Sequence, residues 1–264
     1  MTDLRSVCDG IAKAVLETED FIKREALGFD ISRTEVKGMN DFVSYVDKKS
    51  EEMLVEKLRP VVPEAGFIAE EGTSSGTCAR YCWIIDPLDG TTNFVHGLQP
   101  YAISVALTDN GEPVAGVICN AGGGELFRAW KNGGAWLNDK PIKVSSANRL
   151  SDSLIATGFP YNDFSRLEGF IKSLSAFCRT THGMRRLGSA SIDMAYVACG
   201  RFEAFYEYDL KIWDVAAGIV LVREAGGRVS DFSGREKDLD GSEIIASNKN
   251  VYNEFQEIVS KFMS

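Results

Sequence analysis

Histidine is nearly missing from this sequence: only His96 and His182 occur among 264 residues. They lack ligand-like spacing, and no Gly-x-Ser-x-Gly elbow accompanies them, so neither a serine hydrolase nor a covalent histidine mechanism has its parts. Long apolar runs are missing as well. No stretch approaches the roughly 20 apolar residues needed to cross a bilayer. The start, MTDLRSVCDG, has no basic region followed by an apolar one, so no signal peptide is expected. A cytoplasmic protein without a membrane partner is the expectation. Positive charge is in deficit too, with 29 Lys and Arg against 38 Asp and Glu and a formal net charge of −9. That balance lacks the basic footprint of phosphate-backbone binding, and no nucleic-acid partner is expected. Neither a Walker lysine nor a Rossmann glycine pattern occurs; Gly122-Gly-Gly124 and Gly226-Gly227 read as turns.

Cysteine is present but poorly organised. Cys8, Cys78, Cys82, Cys119, Cys178 and Cys199 are scattered through a long chain, which is unlike a disulfide scaffold. Cys78 and Cys82 have the spacing of half a metal knuckle, but no second pair follows. No zinc site is expected, and all six read as reduced thiols.

What the chain does have is enough apolar material for a sizeable core, 44% hydrophobic against 25% charged. Apolar positions at helical spacing (Leu4, Val7, Ile11, Ala14, Val15) predict a helix over Leu4 to Leu27, and a second runs from Ser44 to Leu58 before Pro60. Gly66 to Ala69 and Tyr81 to Ile85 are short apolar runs bounded by turn formers, as buried strands are. Tyr101 to Leu107, Val114 to Cys119, Glu125 to Trp130 and Gly134 to Leu137, separated by Asn-Gly and Gly-rich turns, predict an antiparallel meander. Beyond it, strands at Leu154 to Thr157, Met184 to Leu187, Phe202 to Tyr208 and Glu243 to Ala246 alternate with helices at Leu167 to Phe177, Ala190 to Ala198, Val215 to Glu224 and Val251 to Phe262. The class is α/β or α+β in layers. A single domain over 1–264 and a subdivision near Ser146 to Asp152 both fit.

The segment richest in chemistry is Trp83-Ile-Ile-Asp86-Pro-Leu-Asp89-Gly-Thr-Thr-Asn-Phe94. Pro87 holds Asp86 extended and forbids a helix there, so two carboxylates leave one strand end together. Gly90 lets backbone pass close to a ligand, and Thr91-Thr92-Asn93 suits the opening of a helix, whose N–H groups favour an anion. An EF-hand is excluded, because Pro87 sits at its second position and Gly97 where its glutamate belongs. Two further acidic elements follow apolar runs. Glu70-Glu71 ends Phe67-Ile-Ala, and Asp214 opens the helix Trp213-Asp-Val-Ala-Ala-Gly218. Alone, the first reads as a solvated loop and the second as a helix cap. Together they are hard oxygen ligands suited to magnesium rather than zinc or copper. The acidity of the chain agrees with a cation-binding enzyme, and equally with plain solubility.

Glu70-Glu71, Asp86-Pro-Leu-Asp89-Gly-Thr-Thr-Asn-Phe and Trp213-Asp214-Val-Ala-Ala-Gly, in this order and spacing, resemble the signature motifs of the inositol monophosphatase family. Lys37 to Asp47 resembles that family's upstream element, so the resemblance runs from Lys37 to Gly227. It implies a layered α/β/α/β/α sandwich of mixed and antiparallel sheets, a homodimer, and magnesium-dependent, lithium-sensitive hydrolysis of a phosphorylated polyol. It implies that Glu70, Asp86 and the Leu88 carbonyl hold one magnesium ion and that Asp86, Asp89 and Asp214 hold a second. A third ion would lean on Glu70 through waters. Asp47 and Thr91 resemble the pair that activates water, Gly90 and Thr91 the amides that grip phosphate, and Ala190 and Glu207 the polyol contacts. Asp89 and Asp214 would also border the substrate. Lys211 stands where some members carry histidine, at the rim of the leaving-group site. Two metals about 3.5–4 Å apart can neutralise both oxygens of a phosphate displacement and acidify water without a histidine base. Relatives acting on nucleotide 3′-phosphate, fructose 1,6-bisphosphate or histidinol phosphate share these motifs, and so would a non-catalytic regulatory protein on the same scaffold.

Overall fold

The computed structural model describes residues 3–29, 34–38, 41–72, 78 and 80–263, apart from the side chains of 34–38 and 41–43. Two sheets carry the architecture. The larger has seven strands in the order β3 (Gly66–Ala69), β4 (Tyr81–Asp89), β5 (Ala102–Asp109), β6 (Glu112–Asn120), β7 (Glu125–Trp130), β8 (Gly134–Leu137) and β9 (Lys140–Ile142). From β4 to β9 every neighbour is antiparallel, as the turn-separated apolar runs predicted, while β3 joins β4 in parallel. The smaller sheet has five strands. Their order is β11 (Gly183–Arg185), β10 (Leu154–Thr157), β12 (Ala204–Tyr208), β14 (Glu243–Ser247) and β13 (Arg228–Ser230).

Side-chain alternation along β4 explains the layering. Trp83 and Ile85 join one apolar cluster with Val7, Ile11 and Val15 of α1 (Leu4–Ala26) and Leu54 of α2 (Tyr45–Leu58). Cys82 and Ile84 point the other way, into a cluster with α5 (Ala190–Ala198) and α6 (Ile212–Glu224). A strand buried on both faces reads as a continuous apolar run because its period of two is hidden. The α5 and α6 layer also meets Phe205 and Ala246 of the five-stranded sheet. Phe177 of α4 (Leu167–Thr180) and Phe255 of α7 (Tyr252–Met263) cover the opposite side of that sheet around Tyr206. The stack is therefore α/β/α/β/α, the expected order.

A hairpin of β1 (Thr34–Gly38) and β2 (Asp41–Ser44) precedes α2 and was not foreseen. Nor were the short strands β9 and β13. One expectation fails outright: Cys78 and Cys82 are joined as a disulfide, with Cα atoms 5.2 Å apart, while Cys8, Cys119, Cys178 and Cys199 are free. The chain re-enters β4 within bridging reach of Cys82, a proximity that spacing alone does not reveal. Among the described residues no helix is long and apolar enough to cross a membrane.

Candidate active site

The site forms where β3 and β4 end beside the first turns of α5 and α6. Parallel pairing sets Ala69 opposite Ile85, and the Glu70 N–H donates to the Ile85 carbonyl at 3.2 Å, so Glu70 and Asp86 are neighbours on adjacent strands. On its other side β4 pairs Asp86 with Ser104 and Asp89 with Ala102, three steps on β4 against two on β5. That is a β-bulge. In a regular strand, residues three apart face opposite sides; the extra residue restores Asp86 and Asp89 to one side. Pro87 fits there because a bulge leaves one N–H without a ladder partner. The strand thus runs on to Asp89 rather than ending at Asp86.

Gly90 then takes φ +89°, where a Cβ would stand 3.1 Å from the Gly188 carbonyl oxygen and 3.2 Å from that of Pro100. Only glycine suits this left-handed, crowded corner. It launches the short helix α3 (Thr91–Val95). Asn93 in that helix donates through Nδ2 to the Pro100 carbonyl at 2.7 Å and the Leu187 carbonyl at 2.8 Å, tying the turn to the loop before α5.

Each acid is held by named donors. Asp89 Oδ2 accepts from the Ser189 hydroxyl at 2.7 Å, the Ser191 N–H at 2.8 Å and the Ser191 hydroxyl. Asp86 Oδ1 accepts the Leu88 N–H at 3.0 Å. Asp214 Oδ2 accepts the Lys211 N–H at 2.6 Å, so it does cap its own helix. The start of α6 is also drawn to the large sheet by Ser104, whose hydroxyl donates to the Trp213 carbonyl at 3.3 Å. Asp47, in the first turn of α2, accepts the Ser44 N–H at 2.9 Å and the Ser44 hydroxyl at 2.6 Å on Oδ2. Its Oδ1 lies 2.8 Å from Thr91 Oγ1, which is also 2.9 Å from the Leu88 carbonyl oxygen. One hydroxyl proton can serve only one of these acceptors at a time.

The electrostatics are those of crowded, buried acids. Burial first, then the charges of Glu70, Asp89 and Asp214, raise Asp86 well above the usual carboxylate range. Burial and Asp89 push Asp214 up to about 7. Asp89 and Asp47 are raised by burial against the pull of their hydrogen bonds. Acids in this condition favour a cation. Among the described residues no three such side chains converge as a finished metal cage; Glu70, Asp86, Asp89 and Asp214 form a cluster of mutually repelling acids. The donor set is oxygen only, which fits magnesium.

Glu70, Asp89, Gly90, Thr91, Ala190, Glu207 and Asp214 line one cavity of about 240 Å³, together with Lys211. Asp47, Asp86 and Leu88 stand behind this wall, Asp47 and Leu88 reaching it through Thr91. Glu207, buried on β12, lies over Gly158, where a Cβ would come within 1.7 Å of Oε1. Burial, with Asp214 and Asp89, raises it well above its ordinary value. Sequence reasoning missed Ser189 and Ser191, although a Ser-Ala-Ser run at a helix start was a usable signal. It also missed Arg186 and Tyr161 on the cavity wall, for which the sequence holds no such signal.

The sequence profile described as the inositol monophosphatase family matches residues 3–262. The chain is 43% identical to the inositol-1-monophosphatase of Rhizobium meliloti, over 86% of this chain and 85% of that one. It is also 43% identical to a putative Nus factor SuhB of Neisseria meningitidis serogroup B, over 94% and 95%. The crystal structure of the extragenic suppressor protein suhB from Bartonella henselae superimposes with a TM-score of 0.90 at 37% identity, covering 96% of this chain and 98% of that one. Motifs, layered fold and clustered carboxylates agree with these matches, and the chain belongs to the inositol monophosphatase family.

Proposed function

We propose that this protein is a cytoplasmic, homodimeric magnesium-dependent phosphatase that hydrolyses inositol monophosphate to inositol and phosphate. The observation that carries it is the meeting of Glu70, Asp89, Asp214, Thr91 and Glu207 on one cavity wall, with Asp86 pressed against the other acids behind it. Glu70, Asp86 and the Leu88 carbonyl would hold one ion, Asp86, Asp89 and Asp214 another, and Glu70 a third through waters. When bound, the ions neutralise the phosphate and make water acidic enough to attack at neutral pH.

The protein's own groups then divide the work. Water aligned on Thr91 Oγ1 passes its proton through that oxygen to Asp47 Oδ1, 2.8 Å away, where burial makes the carboxylate a better base. The amides of Gly90 and Thr91 face the phosphate. Ala190 and Glu207 face the polyol, whose hydroxyls donate to Glu207.

Phosphate release from a panel of inositol, sugar, nucleotide and histidinol phosphates, with magnesium and then with excess chelator, tests this directly. Inositol monophosphate should lead the panel, chelator should abolish release, and lithium should inhibit uncompetitively. Full activity in chelator would sink the metal mechanism. A leading nucleotide 3′-phosphate, fructose 1,6-bisphosphate or histidinol phosphate would move the assignment to that relative.

A regulatory role is favoured by one specific observation, the 43% identity to a protein named as a putative Nus factor. The two roles are compatible. An inactive Asp86→Asn variant that still restored transcription in a strain lacking the gene would establish the second without the first.

A further inference from the structure

The turn that carries Glu70 is held by a buried acid with no role assigned above. Glu51 lies in the middle of α2 and is fully enclosed, with 0% of its surface exposed. Its Oε2 accepts the Glu71 N–H at 2.6 Å. A carboxyl is costly to enclose unless its oxygens are used. Further along the same buried stripe of α2, Leu54 and Leu58 belong to the apolar cluster of the large sheet. An apolar side chain at 51 could continue that stripe, but it could not accept the Glu71 N–H.

Three successive N–H groups at this turn find three different acceptors. Glu70 donates to the Ile85 carbonyl of β4 at 3.2 Å, and Glu71 donates to Glu51 of α2. Gly72, at φ +66°, donates to the Ala69 carbonyl at 3.3 Å and closes the turn. The first two bonds bear on the Glu70 side chain. A peptide unit is planar, so a hydrogen bond at the Glu71 N–H also orients the Glu70 carbonyl joined to it. Glu70 thus has the peptide before it tied to the large sheet and the peptide after it tied to α2. The direction of its side chain, which lines the cavity, is set between these two anchors.

Asp47 lies one turn before Glu51 on the same helix. Side chains four residues apart on a helix are neighbours on one face. From that face Asp47 Oδ1 lies 2.8 Å from Thr91 Oγ1, while Glu51 holds the Glu71 N–H. One helix therefore spaces the Asp47–Thr91 pair from the turn bearing Glu70.

We propose that Glu51 is a positioning residue for the cation site: by accepting the Glu71 N–H it fixes the backbone that aims Glu70, and so holds Glu70 in register with the Asp47–Thr91 pair. The proposal rests on the assignment of Glu70 to magnesium. Glu51 is not among the residues lining the cavity and would touch neither metal nor substrate.

Magnesium binding to the full-length protein, read by isothermal titration calorimetry beside phosphate release, tests it. Glu51→Met, similar in shape but without the acceptor, should raise the magnesium Kd about tenfold, the low end of what loss of an outer partner costs a metal site. Phosphate release from inositol 1-phosphate and p-nitrophenyl phosphate should fall alike at limiting magnesium and recover at saturating magnesium. Glu51→Gln keeps an acceptor oxygen and should stay within about threefold of the unmodified protein. In a Glu70→Gln background, Glu51→Met should weaken magnesium binding no further, because its route of action is gone. An unchanged Kd in Glu51→Met, a Gln variant as impaired as Met, equal effects in both backgrounds, or a loss that saturating magnesium leaves in place would each overturn the proposal. Should Glu51→Met fail to melt cooperatively, Glu51→Ala takes its place with the same expectations. Magnesium binding that Glu70→Gln leaves unchanged would remove the ligand assignment and the proposal together. Binding weakened by Glu70→Gln but not by Glu51→Met would remove only Glu51.

Discussion

The two sheets contribute to the cavity in different ways. On the seven-stranded side, Asp86 and Asp89 are fixed by a bulge, and Glu70 by parallel pairing with β4. Every aspartate of that side has a named donor on at least one oxygen. On the five-stranded side, Glu207 sits on a strand packed over Gly158, and Arg186 on a loop against Phe159 and Tyr161 with its Nε unpartnered. The first is pre-organised for a reaction that tolerates little displacement. The second presents Glu207, proposed above to face the polyol. The starts of α5 and α6 lie between them and serve both, through Ser189, Ser191 and Asp214.

This division predicts a hierarchy of effects. The largest belongs to the seven-stranded side: Asp86→Asn should lower kcat by on the order of 10³ or more, about 4 kcal/mol, for inositol phosphate and p-nitrophenyl phosphate alike. Steady-state phosphate release checks it, and a loss confined to one substrate would break the division.

Next comes the cation itself. The carboxyl of Asp214 is pushed up to about 7 when folded, against about 3.9 in an unfolded chain. A raised carboxyl favours the folded state at low pH, and that contribution fades as pH rises from about 4 to about 7. The metal-free protein should therefore melt at a lower temperature at pH 8 than at pH 5. Magnesium at about 100 times its Kd should restore about 2.7 kcal/mol, roughly 5–10 °C, at pH 8. At pH 5, where protons compete, it should restore less. Calorimetric melts at both pH values with and without magnesium decide it; a gain larger at pH 5 would contradict the acidic cluster.

The five-stranded side should yield smaller and substrate-selective losses. Glu207→Gln should cost roughly 1.5–3 kcal/mol in kcat/KM for inositol phosphate and little for p-nitrophenyl phosphate, which offers no ring hydroxyls. Parallel kinetics on both substrates sharpen or erase the boundary. Smallest of all, Lys211→His should change substrate ranking by less than about tenfold. Lys211 is exposed at the rim, where charge effects are screened, and the substrate panel reads it out. A collapse of activity there would place Lys211 inside the reaction.

These contrasts also explain what could be read from sequence. Carboxylates, turn formers and apolar runs are local signals, so Glu70, Asp86, Asp89, Asp214, the meander and most helices were legible. The bulge was not, because its evidence is a register against β5. Arg186 and Glu207 reach one cavity from a loop and a strand, and nothing in their own neighbourhoods announces that. The disulfide eluded inference for the same reason, as spacing cannot report a distance. The short strands β9 and β13, three residues each, carry too few alternations to register.

The bulge in β4 has a consequence for how such a protein can diverge. Substitutions at Pro87 or Leu88 change one side chain, but removal of either residue erases the bulge and leaves two steps on β4 against two on β5. Asp86 and Asp89 would then stand two residues apart in a regular ladder and still share a side, but the strand would lose the local bend that aims it into Gly90 and Thr91. The length of the interval from Asp86 to Asp89 therefore sets how the strand is aimed at the turn that follows, and not merely which side its two acids face.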